Sequence, residues 1–96
     1  MNTNIDWDKL RIFYSVARSQ SFSLAAQQLN VSQSALSRSI QLLEDRLKVK
    51  LFHRHPRGVA LTEKGEIIFK GAQQMMTTLE ATRISLSEME KFPYGL

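Results

Sequence analysis

Residues 21–47 read SFSLAAQQLNVSQSALSRSIQLLEDRL, and this stretch decides the fold. It predicts a short helix, a tight turn at Asn30 and a longer helix, because asparagine enters the left-handed backbone region more readily than most non-glycine residues. Ser23 is the expected cap of the first helix and Ser32 that of the second, since a hydroxyl can accept from the free N–H groups of a first turn. The residues expected on the buried side of the first helix or in the turn are Leu24, Ala25, Ala26, Leu29 and Val31.

The longer helix has one apolar and one polar side. Its apolar residues recur at the 3.6-residue period of an α-helix, and they are Leu36, Ile40, Leu43 and Leu47. The polar residues that project elsewhere are Ser34, Ser37, Arg38 and Gln41, with Gln33 in the exposed first turn. Such a polar front is what a helix-turn-helix presents to base edges in the major groove. The alternative is an ordinary helical hairpin whose polar side faces only water.

The positive charge of the chain is concentrated next to this helix. The formal net charge is +4, and six basic residues against two acidic ones lie between Arg38 and Arg57. The remaining basic and acidic residues balance, so the whole excess falls in and just after the second helix of the motif. This placement indicates a surface that faces phosphates.

Length and composition narrow the class of protein. Ninety-six residues suit a single domain with a modest core and leave no room for a large buried active site. The absence of cysteine excludes disulfides and thiolate chemistry and fits a reducing cytoplasm. The N-terminal stretch has no apolar signal region, and no apolar run approaches the length of a membrane span. Residues 6–19 form the expected first helix, with Asp6 as its cap.

A small two-stranded wing is predicted after Leu47. Two short apolar segments, one at residues 51–52 and one at 59–61, flank the polar stretch HRHPRG, and its Pro-x-Gly indicates a turn near residues 56–58. His53 and His55 suggest a metal site, but no cysteine and no third ligand accompany them. We therefore expect no metal and no cofactor, with both histidines on an exposed hairpin.

A long amphipathic helix is predicted over residues 63–91, capped by Thr62. Its apolar stripe follows a heptad repeat, and the residues assigned to a dimer interface are Ile68, Ala72, Met75, Leu79 and Leu86. A helix of roughly 40 Å, at 1.5 Å per residue, cannot bury this stripe on a three-helix core alone. A second copy of the chain is the simplest partner. Membrane attachment is less favoured, because the helix lacks a basic face.

Residues 10–65 resemble the N-terminal domain of LysR-type transcriptional regulators. The matching stretches, in the family's order and spacing, are LRIFYSVARSQSFSLAAQQLNVSQSALSRSIQLLEDRL, LFHR and LTEKG. The sequence departs at Ser34, where many members have proline, and at Lys48, where glycine commonly follows the recognition helix. Lys48 must then adopt the left-handed helix stop, for which lysine is less suited than glycine.

The resemblance implies a mainly α fold, in which a winged helix-turn-helix with a three-helix core precedes a linker helix that dimerises. The expected division is 1–61 for the DNA-binding domain, 62–92 for the linker helix and 93–96 for the start of a hinge. Full-length members continue into an effector-binding domain, so we expect an excised fragment rather than a naturally short relative. A small-molecule effector is expected only for that absent domain, and a tetramer stays open for a full-length protein.

The expected function is sequence-specific binding of a double-stranded DNA operator by a dimeric bacterial regulator. The recognition helix, residues 33–47, is expected in the major groove, and the wing, residues 53–59, on the backbone and minor groove. The resemblance places Gln33, Ser37 and Arg38 in the major groove and a DNA contact at Arg57. The other candidate DNA contacts are Ser34, Gln41, Arg54, Ser23, Ser32 and Thr62. For Arg54 the alternative is that it braces the fold, and for the last three it is capping alone.

Two other classes of function compete with DNA binding. A protein–protein adaptor would use the methionine-containing last helix as its contact surface. An enzyme is less favoured, because the sequence contains no paired carboxylates, nucleophile–base set or glycine-rich phosphate loop. Weak dependence of DNA binding on salt would favour the adaptor, since phosphate contacts make binding steeply salt-dependent.

Overall fold

The computed structural model describes residues 6–91, which form four helices and one antiparallel pair of strands. In chain order these elements are α1 (Trp7–Ser19), α2 (Phe22–Leu29), α3 (Gln33–Leu47), β1 (Phe52–His55), β2 (Gly58–Leu61) and α4 (Glu63–Lys91). The three-helix core, the wing and the long last helix predicted from the sequence are all present. The expected hinge residues, 93–96, lie outside the described part of the chain.

The core lies where α1, α2 and α3 meet the start of the wing. Its fully buried side chains include Phe13 and Val16 from α1, Leu36, Ile40 and Leu43 from α3, and Leu51 before β1. Leu47 is partly buried against the same cluster, so the predicted apolar stripe of α3 is confirmed along its whole length. Ala25 and Ala26 are also buried, and their small side chains suit close packing between α2 and its neighbours.

Helix α2 begins earlier than expected. Its cap is Ser21, whose hydroxyl accepts from the Leu24 N–H at 3.0 Å, so the prediction that Ser23 caps this helix is wrong. The buried residues Phe22, Ala25 and Ala26, with Leu29 partly buried, follow the helical spacing from Phe22 onwards. This register turns Leu24 outwards, where 44% of it is exposed, so the expectation that Leu24 is buried is also wrong.

The turn between α2 and α3 has the expected backbone but a different packing. Asn30 has φ 58° and ends α2 in the left-handed region, as predicted. Ser32 caps α3 by accepting from the Ala35 N–H at 3.1 Å. Val31 is 44% exposed, so the expectation that it packs into the turn is wrong. Its N–H donates to the Ala26 carbonyl at 3.0 Å, so the turn is closed through the backbone. Lys48 also adopts φ 58°, which confirms the left-handed stop of α3 without glycine.

The wing is a hairpin with a two-residue turn, and it contacts the end of α1. Its register pairs Phe52 with Leu61 and His55 with Gly58, which puts the turn at residues 56–57. Gly58 has φ 135°, and a Cβ on it would lie 2.8 Å from the carbonyl oxygen of Gln20. The neighbouring Val59 N–H donates to that same oxygen at 3.4 Å. The close approach of β2 to α1 therefore requires glycine at this position.

Helix α4 starts against the two residues that precede β1. Thr62 caps it by accepting from the Gly65 N–H at 2.9 Å, as predicted, and its hydroxyl donates to the Lys50 carbonyl at 2.6 Å. The Thr62 N–H donates to the carbonyl of Leu51 at 3.0 Å. A Cβ on Gly65 would overlap that Leu51 oxygen, so the helix can lie this close only with glycine there.

The predicted heptad stripe of α4 changes its environment along the helix. Ala72 is 1% exposed and Ile68 is partly buried, both against the core of their own chain, so neither presents an open surface to a partner. Met75, Leu79 and Leu86 are exposed. The first turns of α4 thus share the core with α1, and a domain boundary at residue 61 stays a prediction. No helix in the described range 6–91 combines the length and apolar character of a membrane span.

Candidate nucleic-acid interface

The outward side of α3 carries polar residues that point away from the apolar core. Gln33, Ser34, Arg38 and Gln41 are exposed, and Ser37 is half-buried, so the predicted polar front exists as a surface. At the start of the helix, the Ser34 hydroxyl lies 3.4 Å from that of Ser32. Residue-level roles in DNA contact stay predictions at these positions.

Arg38 differs from Arg11 and Arg83 in its surroundings. Arg11 and Arg83 pair with carboxylates on their own helices, with Arg11 Nη2 at 2.9 Å from Asp8 and Arg83 Nη2 at 2.6 Å from Glu80. The Arg83 pair holds the pKa of Glu80 below its ordinary value, first through the hydrogen bond and then through the charge. Arg38 has no such bond or ion pair within residues 6–91, so its charge is available to an anion outside the chain.

Arg54 joins the wing to the recognition helix. Its Nη2 donates to the Ser37 hydroxyl oxygen at 2.9 Å, although the two residues are 17 positions apart in sequence. The guanidinium carbon also lies 4.0 Å from the centroid of the Phe22 ring, within the range of a cation–π contact. The structure therefore supports the bracing alternative for Arg54, and the exposed guanidinium leaves a phosphate contact possible at the same residue.

The Phe22 ring under Arg54 is fixed by the aromatic core. It packs edge-on against Phe52 with 5.8 Å between centroids, and Phe52 in turn lies 5.2 Å from Phe13. Phe22 itself is only 7% exposed. Arg54 is thus positioned by a buried ring as well as by its bond to Ser37.

A cleft of about 320 Å³ separates the wing from the start of the recognition helix. Residues from α2, α3, β1 and β2 line it, and the polar ones are Ser21, Ser23, Gln33, Ser37, Arg54 and His55. A second, polar groove on the other side of Ser37 and Arg54 is lined by Gln41, Glu44 and Lys50. Both grooves meet at the bond between Ser37 and Arg54, so that pair forms the ridge between them.

The wing tip extends its charged side chains into solvent. Arg57 is the second residue of the turn and is exposed, and it has no hydrogen bond or ion pair to any described residue. His53 and His55 are also exposed, one pleat apart on β1. Across residues 6–91, no group of three or more His, Cys, Asp or Glu side chains is arranged to hold a metal ion.

The candidate capping hydroxyls lie at three helix starts. Ser32 and Thr62 cap α3 and α4 in the structure, which accounts for both hydroxyls without DNA. Ser23 lies in the first turn of α2, exposed and without a capping role, and it lines the cleft beside the wing. Ser21 was not identified from the sequence as the cap of α2. The apolar residues of α2 follow a helical spacing that begins at Phe22, and this spacing indicates a cap at the residue before it.

Glu44 is a second residue whose role the sequence did not reveal. It was counted as an acidic residue within a basic segment, yet its carboxylate accepts from the Leu51 N–H at 2.8 Å. Its side chain is 11% exposed, and Lys50 Nζ lies 4.0 Å from its other oxygen. Glu44 thus fixes the chain where it leaves α3 and enters the wing.

An exposed apolar face runs along α4 beside the start of α1. Trp7, Met75 and Leu79 line an open groove together with Thr78 and Thr82. Trp7 is exposed rather than packed into the helix start. This groove joins an aromatic side chain of the core helices to the exposed part of the heptad stripe.

Known proteins share both the sequence and the fold of this chain. The family described as "Bacterial regulatory helix-turn-helix protein, lysR family" matches residues 7–66. The HTH-type transcriptional regulator GltR of Bacillus subtilis is 40% identical over 79 residues, which cover 82% of this chain and 27% of that protein. CrgA of Neisseria meningitidis is 36% identical over 96 residues, which cover 100% of this chain and 31% of that protein.

Two solved structures show the same architecture on DNA. BenM_DBD in its catB site 1 DNA complex superposes with a TM-score of 0.79 at 30% identity, covering 90% of this chain and 96% of that chain. Full-length CbnR complexed with its target DNA gives a TM-score of 0.73 at 30% identity, covering 88% of this chain and 29% of that chain.

The chain spans about a quarter to a third of the length of the curated relatives named here. The family matched over residues 7–66 is one of DNA-binding regulators, which confirms the prediction that the chain is not an enzyme. The family match covers more than half of the sequence, and the related structures share the overall fold. The chain belongs to the lysR family of bacterial regulatory helix-turn-helix proteins.

Proposed function

We propose that this chain is the operator-binding part of a dimeric bacterial transcription regulator. Its DNA-binding surface is the outward side of α3 together with the wing. The observation that carries the proposal is the bond between Arg54 and Ser37, because it holds a charged wing residue directly beside the recognition helix. Structures of related chains on DNA support the same assignment.

The recognition helix supplies side chains that suit base edges. Gln33 and Arg38 are exposed and carry the amide and guanidinium groups that form paired hydrogen bonds with adenine and guanine. Ser37 and Gln41 extend the same surface, and Ser34 lies at its start. We assign these residues to the major groove.

The wing supplies contacts to the flanking backbone. Arg57 at its exposed tip is free of intramolecular partners within the described chain, and a guanidinium enters a narrow minor groove more readily than an ammonium does. Ser23 lies in the cleft beside the wing. Its hydroxyl does not cap a helix, so among the three serine and threonine candidates at helix starts it is the one that is free to contact a phosphate.

Dimerisation through α4 is the second part of the proposal. Met75, Leu79 and Leu86 are exposed on one side of a helix that extends beyond the core, and Trp7 lies beside them. A second copy of the helix would cover this face. We place the protein in the cytoplasm, where its DNA partner lies, and assign any small-molecule effector to sequence beyond this chain.

Binding to DNA at several salt concentrations tests the proposal. The chain would be titrated into a labelled random-sequence duplex pool, and the bound fraction would be amplified and sequenced over several rounds. We expect one enriched motif, repeated in both orientations, whose affinity falls steeply with salt because each phosphate contact releases counterions. No enrichment and a flat salt dependence would instead favour the protein–protein adaptor.

A further inference from the structure

The direction of the hydrogen bond between Arg54 and Ser37 limits what Ser37 can do on DNA. A guanidinium has donors and no acceptor, so Arg54 donates and the Ser37 hydroxyl oxygen accepts, at 2.9 Å. A hydroxyl also has one proton of its own. Within residues 6–91 no group accepts that proton, so it remains available to an acceptor outside the protein.

Without Arg54, the Ser37 hydroxyl would have another use for its proton. A serine inside a helix commonly donates to the carbonyl one turn earlier, here that of Gln33, and then presents only lone pairs to the outside. The bond from Arg54 occupies the Ser37 oxygen from the wing side. It therefore favours the rotamer in which the proton points towards the surface.

Arg54 is itself held in place by the core. Its guanidinium lies 4.0 Å from the centroid of Phe22, and the Phe22 ring is buried against Phe52. This platform restricts the long side chain of Arg54 to the position from which it reaches Ser37. A lysine at this position would retain the charge but would lose the planar stack and the fork of donors.

We propose that Arg54 is a positioning residue that makes Ser37 a hydrogen-bond donor to DNA. Arg54 then occupies one of the two lone pairs of the Ser37 oxygen and leaves its proton directed outwards, so the DNA atom preferred opposite Ser37 is an acceptor. The acceptors within reach of such a ridge are base atoms, namely purine N7, guanine O6 and thymine O4, and phosphate oxygens. Cytosine, whose major-groove edge offers only an amino donor, would be disfavoured opposite Ser37. This inference rests on the proposed DNA-binding function.

The test is an atom-by-atom scan of a duplex enriched from the random pool by the wild-type chain. Single 7-deazapurines remove N7, 2-aminopurine in place of guanine removes O6, 4-thiothymines weaken the O4 acceptor, and methylphosphonates remove phosphate charge and one acceptor. Each modified duplex is titrated with wild type, Ser37→Ala and Arg54→Lys. We expect one modification to weaken wild-type binding about fivefold, the effect of one lost hydrogen bond, and to leave Ser37→Ala unaffected.

The positioning role predicts a specific result for Arg54→Lys. The fivefold penalty of that one modification should shrink towards twofold or less, while the salt dependence stays close to that of wild type because the charge is retained. Arg57→Lys is the matched control: it makes the same chemical change on the same wing, and the Ser37 penalty should persist even though overall affinity falls. Thermal melting followed by circular dichroism checks that each variant is folded.

The scan separates the possible outcomes. A penalty located at a base atom or at a phosphate, and lost in both Ser37→Ala and Arg54→Lys, supports the inference and identifies the source of the acceptor. The inference is overturned if the scan finds no modification whose penalty depends on Ser37. It is also overturned if Arg54→Lys retains the full penalty. If the pool yields no enriched duplex, the proposed function fails before this inference is reached.

Discussion

The carboxylate of Glu44 accepts a hydrogen bond from the backbone N–H of Leu51 at 2.8 Å. This contact closes the segment between the end of α3 and the start of β1, and Leu51 itself is fully buried. The acidic side chain of Glu44 thus has a structural role within the most basic part of the sequence, because its oxygen accepts from the buried N–H of Leu51. The wing and the recognition helix are held at a fixed distance by this bond at one end and by the bond between Arg54 and Ser37 at the other.

Glu44→Ala should lower the free energy of unfolding by about 1–3 kcal/mol, because it leaves the buried Leu51 N–H without its acceptor. Asp45→Ala is the matched control, since it removes the same charge from the next residue, which is exposed. Urea denaturation of both variants measures the difference. Equal stabilities would mean that water satisfies the Leu51 N–H and that Glu44 does not fix the wing.

Two glycines in α4 should respond to alanine in opposite directions. A Cβ at Gly65 would overlap the Leu51 carbonyl oxygen, so Gly65→Ala should cost about 1–3 kcal/mol through forced displacement. Gly71 has nothing within 4 Å of such a Cβ, so Gly71→Ala should stabilise the helix by about 0.5–1 kcal/mol. Urea denaturation at one protein concentration compares them. A neutral Gly65→Ala would show that α4 can move away from the wing at little cost.

The sequence predicted those parts of the fold that depend on local chemistry. The apolar spacing of α3, the left-handed turn at Asn30 and the Thr62 cap each follow from residues within one or two helical turns. The start of α2 was missed because Ser21 and Ser23 both carry hydroxyls, and only the burial of Phe22 between them decides which one caps the helix.

The bonds that assemble the binding surface could not be predicted in the same way. Arg54 and Ser37 are brought together by the packing of the wing on α3, and a pattern of residue types contains no information about that approach. The heptad spacing of α4 predicted the helix, but it could not show that Ala72 faces the core while Leu79 is 55% exposed. That difference depends on how far the first three helices extend along α4.

Leu79→Asp should convert a dimer into a monomer, because it places an unpaired charge in the apolar face that a second copy would cover. Leu79 is exposed within its own chain, so the monomer should remain folded. Thr77→Asp is the control, since two residues turn an α-helix by about 200° and Thr77 projects from the other side. Sedimentation equilibrium gives the masses. A dimer that survives Leu79→Asp would place the interface elsewhere.

Gln33→Ala and Arg38→Ala should each weaken binding to the enriched duplex by about 1–3 kcal/mol per subunit, because each removes a side chain suited to a paired contact with a base. Both residues are exposed, so the melting temperature should change little. Arg11→Ala removes the same charge as Arg38→Ala from outside the surface made by α3 and the wing. Fluorescence anisotropy measures affinity. Equal losses of affinity for Arg11→Ala and Arg38→Ala would mean that Arg38 contributes only its positive charge and no specific contact with a base.

Arg57→Lys should weaken binding chiefly on operators with A·T-rich flanks. The exposed side chain of Arg57 extends from the tip of the wing. In the proposed complex the wing would lie over the flanking backbone and minor groove, because it follows the recognition helix. Narrow A·T-rich minor grooves have enhanced negative potential, and they favour the weakly hydrated guanidinium over the ammonium. The salt dependence should stay nearly unchanged, because the substitution keeps the charge.

The measurement compares wild type and Arg57→Lys on duplexes that differ only in their flanks. A·T-rich flanks should favour the wild type severalfold, and G·C-rich flanks should bring the two proteins close together. Arg54→Lys, which changes the arginine bound to Ser37, should show no preference of this kind between flanks. Equal weakening of Arg57→Lys on both flanks would mean that Arg57 does not sense groove width, and a phosphate contact that depends on guanidinium geometry would then account for its effect.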